Sequence, residues 1–196
     1  MFIYFITSLI FSYLIGAIPT GYWVCKLFYG TDITKRGSGN IGATNVARVN
    51  GKFLFIPIFL IDAGKSYLAL YFVDLGFNQF YGCCCQPWFM FLTASCLLLG
   101  NAYSVFIGFR GGKGVATMLG IIAYLFSFTF VVIFGVLWLG IYAATKQAFM
   151  ASIGAMFLFL SLALLFGHLP NGQVFFLICL FMWLLFRHQS NIKRFC

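Results

Sequence analysis

Two glycine-rich stretches hold most of the side chains that could do chemistry. The first reads Thr34-Lys35-Arg36-Gly37-Ser38-Gly39-Asn40-Ile41-Gly42-Ala43-Thr44-Asn45-Val46-Ala47-Arg48. Glycines with Ser, Thr and Asn between cations give a backbone that can close round an anion and offer it N–H donors in a nest-like concavity. Gly37, Gly39 and Gly42 match G-x-G-x-x-G in form, but no strand precedes them and no βαβ unit fits the sequence, so a dinucleotide site is not implied. The bland alternative is a flexible, positively charged linker. The second stretch, Phe109-Arg110-Gly111-Gly112-Lys113-Gly114, leads into Val115-Ala116-Thr117. It sets two cations among glycines just before a helix, whose first N–H groups also favour anions. It is not a Walker A loop, because Gly114 follows Lys113 where Ser or Thr is required, so use of a nucleoside triphosphate is unsupported. One such stretch reads as an ordinary helix start; two favour a phosphate site.

Smaller polar features stand apart from these loops. Thr145-Lys146-Gln147-Ala148 precedes Ser152, which alone reads as a serine packing one helix on another. The stretch Arg187-His188-Gln189-Ser190-Asn191-Ile192-Lys193-Arg194 sets a histidine among cations. Such a residue can bind an anion or act as acid or base, and the whole stretch can equally anchor the chain on anionic lipid. Asp62 and Lys65 sit three residues apart inside an apolar run, where they share a helix face and can pair. Ions at such depth face protein or a water-filled cavity, so a structural pair bordering a polar cavity is preferred to a catalytic one. His168 beside Pro170 reads as a loop residue. Cys25, Cys96 and Cys179 lie in apolar runs and behave as small hydrophobes. The Cys83-Cys84-Cys85 triplet lacks C-x2-C spacing and a nearby His, which argues against zinc, and no disulfide framework is expected.

These residues must be positioned by elements that live in lipid. The 196 residues are 63% hydrophobic and only 8% charged, with a net charge of +9; the mean hydropathy is +1.01. A soluble domain could not cover such a surface with polar atoms. In hydrocarbon every backbone group must be paired internally, which leaves helix bundles or closed barrels. Runs such as Phe2–Ala17, Phe89–Phe106 and Phe149–Phe166 are continuous, not alternating, so helices are expected. The first basic residue is Lys26, so no charged n-region precedes the first run, which is expected to remain as a span.

The apolar segments read as Ile3–Phe28, Phe53–Val73, Trp88–Ile107, Val115–Ala144, Phe149–Gly167 and Val174–Phe186. The fourth is long for one span and short for two, and charge decides it. A turn at Ser127–Thr129 gives seven spans with the N-terminus outside and the C-terminus cytoplasmic. Eleven of the twelve Lys and Arg residues then lie on the cytoplasmic side, and the twelfth, Lys65, lies within a span. Six spans would move Lys146 and the C-terminal cations outside, against the positive-inside rule. The expected fold is therefore an all-α membrane protein, a seven-transmembrane-helix bundle with two short central helices. Residues 1–196 are read as a single integral membrane domain.

At these loops the sequence resembles the bacterial membrane glycerol-3-phosphate acyltransferases that use acyl-phosphate as donor (PlsY type). The resemblance covers nearly the whole chain. Its carriers are Gly37-Ser-Gly-Asn-Ile-Gly-Ala-Thr-Asn45 with Arg48, Phe109-Arg-Gly-Gly-Lys-Gly-Val-Ala-Thr117, and His188 with Asn191-Ile-Lys-Arg194. Three departures stand out. Ser66 replaces the usual Gly of Asp-x-x-Lys-Gly, Asn101 stands where the family commonly has His, and the chain stops at Cys196 without the usual Gly-x-Glu.

The resemblance implies transfer of a fatty acyl group from acyl-phosphate to the 1-hydroxyl of glycerol 3-phosphate in the bacterial cytoplasmic (inner) membrane. The products would be lysophosphatidic acid and phosphate. No cofactor, CoA, carrier protein or metal is implied. The implied partners are the two substrates, membrane lipid and the soluble enzyme that makes acyl-phosphate, with no nucleic acid. Ser38, Gly39, Asn40, Thr44 and Asn45 are then expected in the phosphate-binding loop, with Arg48, Gly112 and Lys113 clamping phosphate. Ser152, His188 and Asn191 would position glycerol 3-phosphate, and Lys113, Arg48, His188 and Ser38 are the residues expected to act in catalysis. The general base is open between His188 and an oxygen of the donor phosphate. A carrier for a phosphorylated metabolite is the rival class, since glycine loops, short helices and an intramembrane ion pair also occur in transporters. The outside loops, however, offer no matching cationic site, and a non-catalytic scaffold has no evident need of such loops.

Overall fold

A computed structural model of the chain describes residues 1–82, 86–166 and 169–195. The Cys83-Cys84-Cys85 triplet and His168 lie outside the described residues. The described residues are helical almost throughout and form two compact units, 1–125 and 126–196. In the first unit the helices are α1 (Phe2–Ala17), α2 (Thr20–Tyr29), α3 (Ala43–Asn50), α4 (Phe55–Tyr81), α5 (Pro87–Ala102) and α6 (Val115–Leu125), with short 3₁₀ turns at Ile33–Lys35, Lys52–Leu54 and Val105–Ile107. In the second they are α7 (Phe128–Thr145), α8 (Ala148–Phe166) and α9 (Asn171–Phe195).

Among the described residues, four stretches are long and apolar enough to cross a bilayer: Lys52–Tyr81, α7, α8 and Asn171–Lys193. The pair α1 and α2, bent by 40° at its break, makes a fifth if taken as one span. The first apolar run is thus not one straight helix. Pro19 has no N–H and disfavours helix at the residue before it, so α1 stops at Ala17 and α2 restarts at Thr20. The long segment Val115–Ala144 does divide, at Phe126–Ser127, but unevenly. Only α6, with 11 residues, is short; α7 has 18, so one of the two expected short helices is of full length. The last apolar segment ends at Phe186 but its helix does not, since α9 runs on through Arg187, His188 and Asn191 to Phe195.

Small residues set the packing of the first unit. A Cβ on Gly16 would overlap the Leu97 backbone, and one on Gly100 would overlap the Tyr13 carbonyl, so α1 and α5 meet backbone to backbone. Gly120 plays the same part where α6 crosses the Ala63 carbonyl of α4. In lipid, where apolar side chains gain little from association, such close approach is a main source of helix–helix attraction. At one end Phe5 packs on Phe89 with ring centroids 4.3 Å apart, and the Tyr4 hydroxyl donates to the Val73 carbonyl.

In the second unit α7 and α8 form a hairpin through Lys146, which takes a left-handed conformation (φ 55°). Phe130 and Phe134 of α7 meet Phe159 of α8 edge-on. Phe149 and Phe195 rings lie 5.8 Å apart, so the start of α8 and the end of α9 share one end of this unit.

Candidate functional site

The first glycine loop is built around one buried side chain. Asn45, on the first turn of α3, is 2% exposed. Its Nδ2 donates to the Arg36 carbonyl at 3.0 Å and to the Asn40 carbonyl at 2.8 Å, while its Oδ1 accepts the Ser38 amide at 2.9 Å. With two carbonyls on one side and an N–H on the other, the amide orientation is unambiguous. The Asn40 side chain closes a second turn by accepting the Gly42 amide at 2.8 Å, and the Gly39 amide reaches the Arg36 carbonyl. Gly37 has φ 58° and its Cα lies against Asn45 Oδ1, where a Cβ would collide.

The loop therefore differs from the sequence reading in one respect. The amides of Ser38, Gly39 and Gly42 bond within the loop, and Asn45 holds the loop's shape with both its amide hydrogens. The Ser38 and Thr44 side chains are exposed, and so is Arg48, one turn beyond Thr44 on the same face of α3. Gly42, the N-cap of α3, has no side chain to cap that helix. Upstream, Asp32 caps the 3₁₀ turn Ile33–Lys35, accepting the Thr34 hydroxyl at 2.6 Å and the Thr34 amide at 3.1 Å. Those bonds, helped by Lys35 and Lys26, hold its carboxyl below the ordinary range of aspartate.

The second loop folds back on the end of α5. The Gly112 amide donates to the Asn101 carbonyl at 2.8 Å, and the Ser104 amide to the Arg110 carbonyl at 3.1 Å. Gly111 sits against the Asn101 and Ala102 backbone, where a Cβ would overlap both. Lys113 is half-buried at the start of α6. Two oxygens of neighbouring elements are buried without a hydrogen-bond partner, Asn101 Oδ1 at the end of α5 and Thr117 Oγ1 in α6.

One apolar cluster joins the loops. Cys25, Ile33, Ile41, Ala43, Val46 and Ile58 are buried beneath the first loop, and Ile107, in the turn that leads to the second, packs on the same cluster. Ser38, Gly39, Asn40, Thr44, Asn45 and Arg48 thus share an end of the first unit with the second loop.

In the second unit Ser152 accepts Trp138 Nε1–H at 3.0 Å and donates to the Ala148 carbonyl at 2.9 Å. His188 is 3% exposed, and its Nδ1 lies 2.9 Å from the Leu184 carbonyl. A carbonyl only accepts, so Nδ1 carries the proton and, in the neutral ring, Nε2 carries the lone pair. Asn191 follows three residues on, along the same face of α9. Ser152, near the start of α8, and His188 and Asn191, near the end of α9, lie at the common end marked by Phe149 and Phe195.

Asp62 and Lys65 pair as their spacing predicts, with Lys65 Nζ 2.7 Å from Asp62 Oδ1. Their further partners were not legible. Lys65 also donates to the Ile18 carbonyl at 2.6 Å, and the Thr20 hydroxyl donates to Asp62 at 2.8 Å. The only signal was Pro19 inside an apolar run.

Comparison with known proteins agrees with this architecture. The family model described as glycerol-3-phosphate acyltransferase matches residues 6–196. A glycerol-3-phosphate acyltransferase of Thermosipho melanesiensis is 37% identical over 97% of this chain and 88% of its own. One of Aquifex aeolicus is 37% identical over 94% of this chain and 92% of its own. The crystal structure of PlsY (YgiH), an integral membrane glycerol 3-phosphate acyltransferase, in its glycerol 3-phosphate form superposes with a TM-score of 0.83 at 33% identity, over 97% of this chain and 91% of that one. Its lysophosphatidic acid form gives 0.80, with the same identity and coverage. Helices, loops and end-to-end similarity lead to one assignment: the chain belongs to the glycerol-3-phosphate acyltransferase family, as a multi-helix integral membrane protein.

Proposed function

We propose that this chain transfers a fatty acyl group from acyl-phosphate to the 1-hydroxyl of glycerol 3-phosphate, giving lysophosphatidic acid and phosphate, the first acylation of phospholipid synthesis. The observation that carries the reading is the pair of glycine loops joined by one apolar cluster, the first followed by the exposed Arg48 and the second holding Lys113. The two liganded forms of PlsY support it, since glycerol 3-phosphate and lysophosphatidic acid differ by one acyl group. The near-complete coverage of relatives supports a single acyltransferase domain over residues 1–196. The one-sided distribution of Lys and Arg supports seven spans in the bacterial inner membrane, with the N-terminus outside, the loops and C-terminus cytoplasmic, and both α5 and α6 crossing within protein surroundings.

Acyl-phosphate is a mixed anhydride with a good leaving group. Catalysis therefore consists of placing the acceptor hydroxyl against the acyl carbon and stabilising the charge that develops. Arg48 and Lys113 hold phosphate by charge-assisted hydrogen bonds, and the Ser38 and Thr44 hydroxyls donate to it. Gly39 and Gly112 let the backbone come close, while Asn45 and Asn40 keep the first loop in shape. Ser152, His188 and Asn191 position glycerol 3-phosphate. As the hydroxyl oxygen bonds to the acyl carbon, the bond to the phosphate oxygen breaks, phosphate leaves with the electron pair, and a phosphate oxygen takes the hydroxyl proton. His188 Nε2 helps to hold glycerol 3-phosphate by accepting from its 2-hydroxyl, which leaves the proton of the 1-hydroxyl to pass to phosphate. The test is purified protein given acyl-phosphate and glycerol 3-phosphate, with phosphate release followed and no CoA or metal added. Release dependent on glycerol 3-phosphate is expected; no release overturns the reading.

A further inference from the structure

The break between α1 and α2 leaves backbone carbonyls that no helix satisfies, in a segment where lipid offers no donor. Both are met from elsewhere in the unit. The Ser104 hydroxyl donates to the Ala17 carbonyl, and Lys65 Nζ donates to the Ile18 carbonyl at 2.6 Å alongside the Thr20 amide at 3.1 Å. Lys65 is held in turn by Asp62 at 2.7 Å, and Asp62 accepts the Thr20 hydroxyl at 2.8 Å. Both charged side chains are nine-tenths buried or more. An ion pair there is costly unless its geometry is good and its remaining hydrogen-bonding capacity is filled. Here one ion meets the end of α1 and the other the start of α2.

What α2 carries makes this joint matter. Gly21, one residue beyond Thr20, lies so close to the Ile41 carbonyl of the first glycine loop that a Cβ would overlap it. Cys25 Sγ reaches Asn50 Oδ1 at the far end of α3, and the Thr31 amide closes on the Cys25 carbonyl. The loop and the helix that follows it therefore rest on α2, and α2 is fixed by α4 through the pair. Ser104, the anchor of the second loop, bonds to the same joint.

We propose that Asp62 and Lys65, with Thr20, form a latch that fixes the α1–α2 joint and so positions the first glycine loop for substrate; they are positioning residues that do not touch it. The kinetic part of the test rests on the acyltransferase reading, and the structural part does not. The variants are Thr20→Val, which removes only the hydroxyl bond to Asp62, its control Thr20→Ser, and Lys65→Met. In purified full-length protein, Thr20→Val and Lys65→Met are expected to speed hydrogen–deuterium exchange selectively in residues 33–45. They should raise KM for glycerol 3-phosphate about 5- to 10-fold with kcat within about twofold, the size expected for losing one charge-assisted bond at a remote support. Thr20→Ser should behave as wild type.

The latch is overturned if exchange in 33–45 stays at the wild-type rate in both variants. It is also overturned if exchange rises equally in α7–α9, which would mark general destabilisation. If Lys65→Met does not fold, the Thr20 pair decides alone. If wild-type protein shows no turnover, the exchange arm still tests the latch, and only the acyltransferase reading fails.

Discussion

Replacing Asn45 with alanine removes three hydrogen bonds at once and adds no new group, so it isolates the side chain that shapes the first loop. The Asn45 amide is buried, and its partners are the Arg36 and Asn40 carbonyls and the Ser38 amide. A net hydrogen bond contributes about 1 kcal/mol, and in this partly exposed loop water can replace some of what is lost. A loss of about 2–3 kcal/mol in loop ordering follows, equal to about 30- to 150-fold in kcat/KM. Asn45→Asp separates shape from contact. It keeps the acceptor for the Ser38 amide but turns a carboxylate toward two carbonyls and adds negative charge beside the proposed anion site, so it should be at least as damaging as alanine. The assay is steady-state phosphate release over a range of glycerol 3-phosphate, with hydrogen exchange at Ser38 as the structural readout. Asn45→Ala with kcat/KM within about threefold of wild type would refute the argument that this side chain holds the loop.

Other outcomes follow from the same geometry. Lys113→Ala should lower kcat/KM by about 100-fold or more, since an ammonium that clamps phosphate has no substitute there; substantial retained activity in the same assay would argue against the clamp. His188→Gln should keep near-normal turnover and an unchanged pH profile if a donor oxygen takes the proton, whereas a large loss of turnover together with loss of the acid limb would identify the histidine as the base. Asp32 titrates below the ordinary aspartate range because Thr34 bonds to its charged form. Its contribution to the loop is thus complete above about pH 4 and is lost only as pH falls through the lowered value. The Thr34 amide NMR shift should therefore be flat from neutral pH down to about pH 5 and move only at more acid pH, and Asp32→Asn should abolish that movement.

Much of this was legible in the sequence, and the limits have physical causes. Continuous apolar runs located the helices, because length and hydropathy are local properties. The spacing of Asp62 and Lys65 gave their pairing, because i,i+3 neighbours share a helix face. The break at Ile18–Pro19 was missed because its cost is met by Lys65 and Ser104, far away in sequence. Glycines and cations marked the first loop as an anion site, but composition does not distinguish donors that face a ligand from donors that close the loop. Asn45 is of the second kind, and only its three partners reveal it. The last apolar segment stopped at Phe186 because charge ends an apolar window even where the helix continues.

The shortness of α6 has a consequence for how the chain is made. Eleven residues rise only about 16 Å, about half the hydrocarbon thickness. Its middle is buried from Thr117 to Ile122, with Gly120 seated on the Ala63 carbonyl of α4. Such a segment gains little by leaving the translocon into lipid alone, whereas α7, which buries only Phe134 along its length, can do so unaided. Because α4 is synthesised first, α6 emerges to find its partner already in the bilayer. The order of the helices along the chain therefore supplies an assembly sequence, in which the least lipid-competent helix is chaperoned by one of its own predecessors.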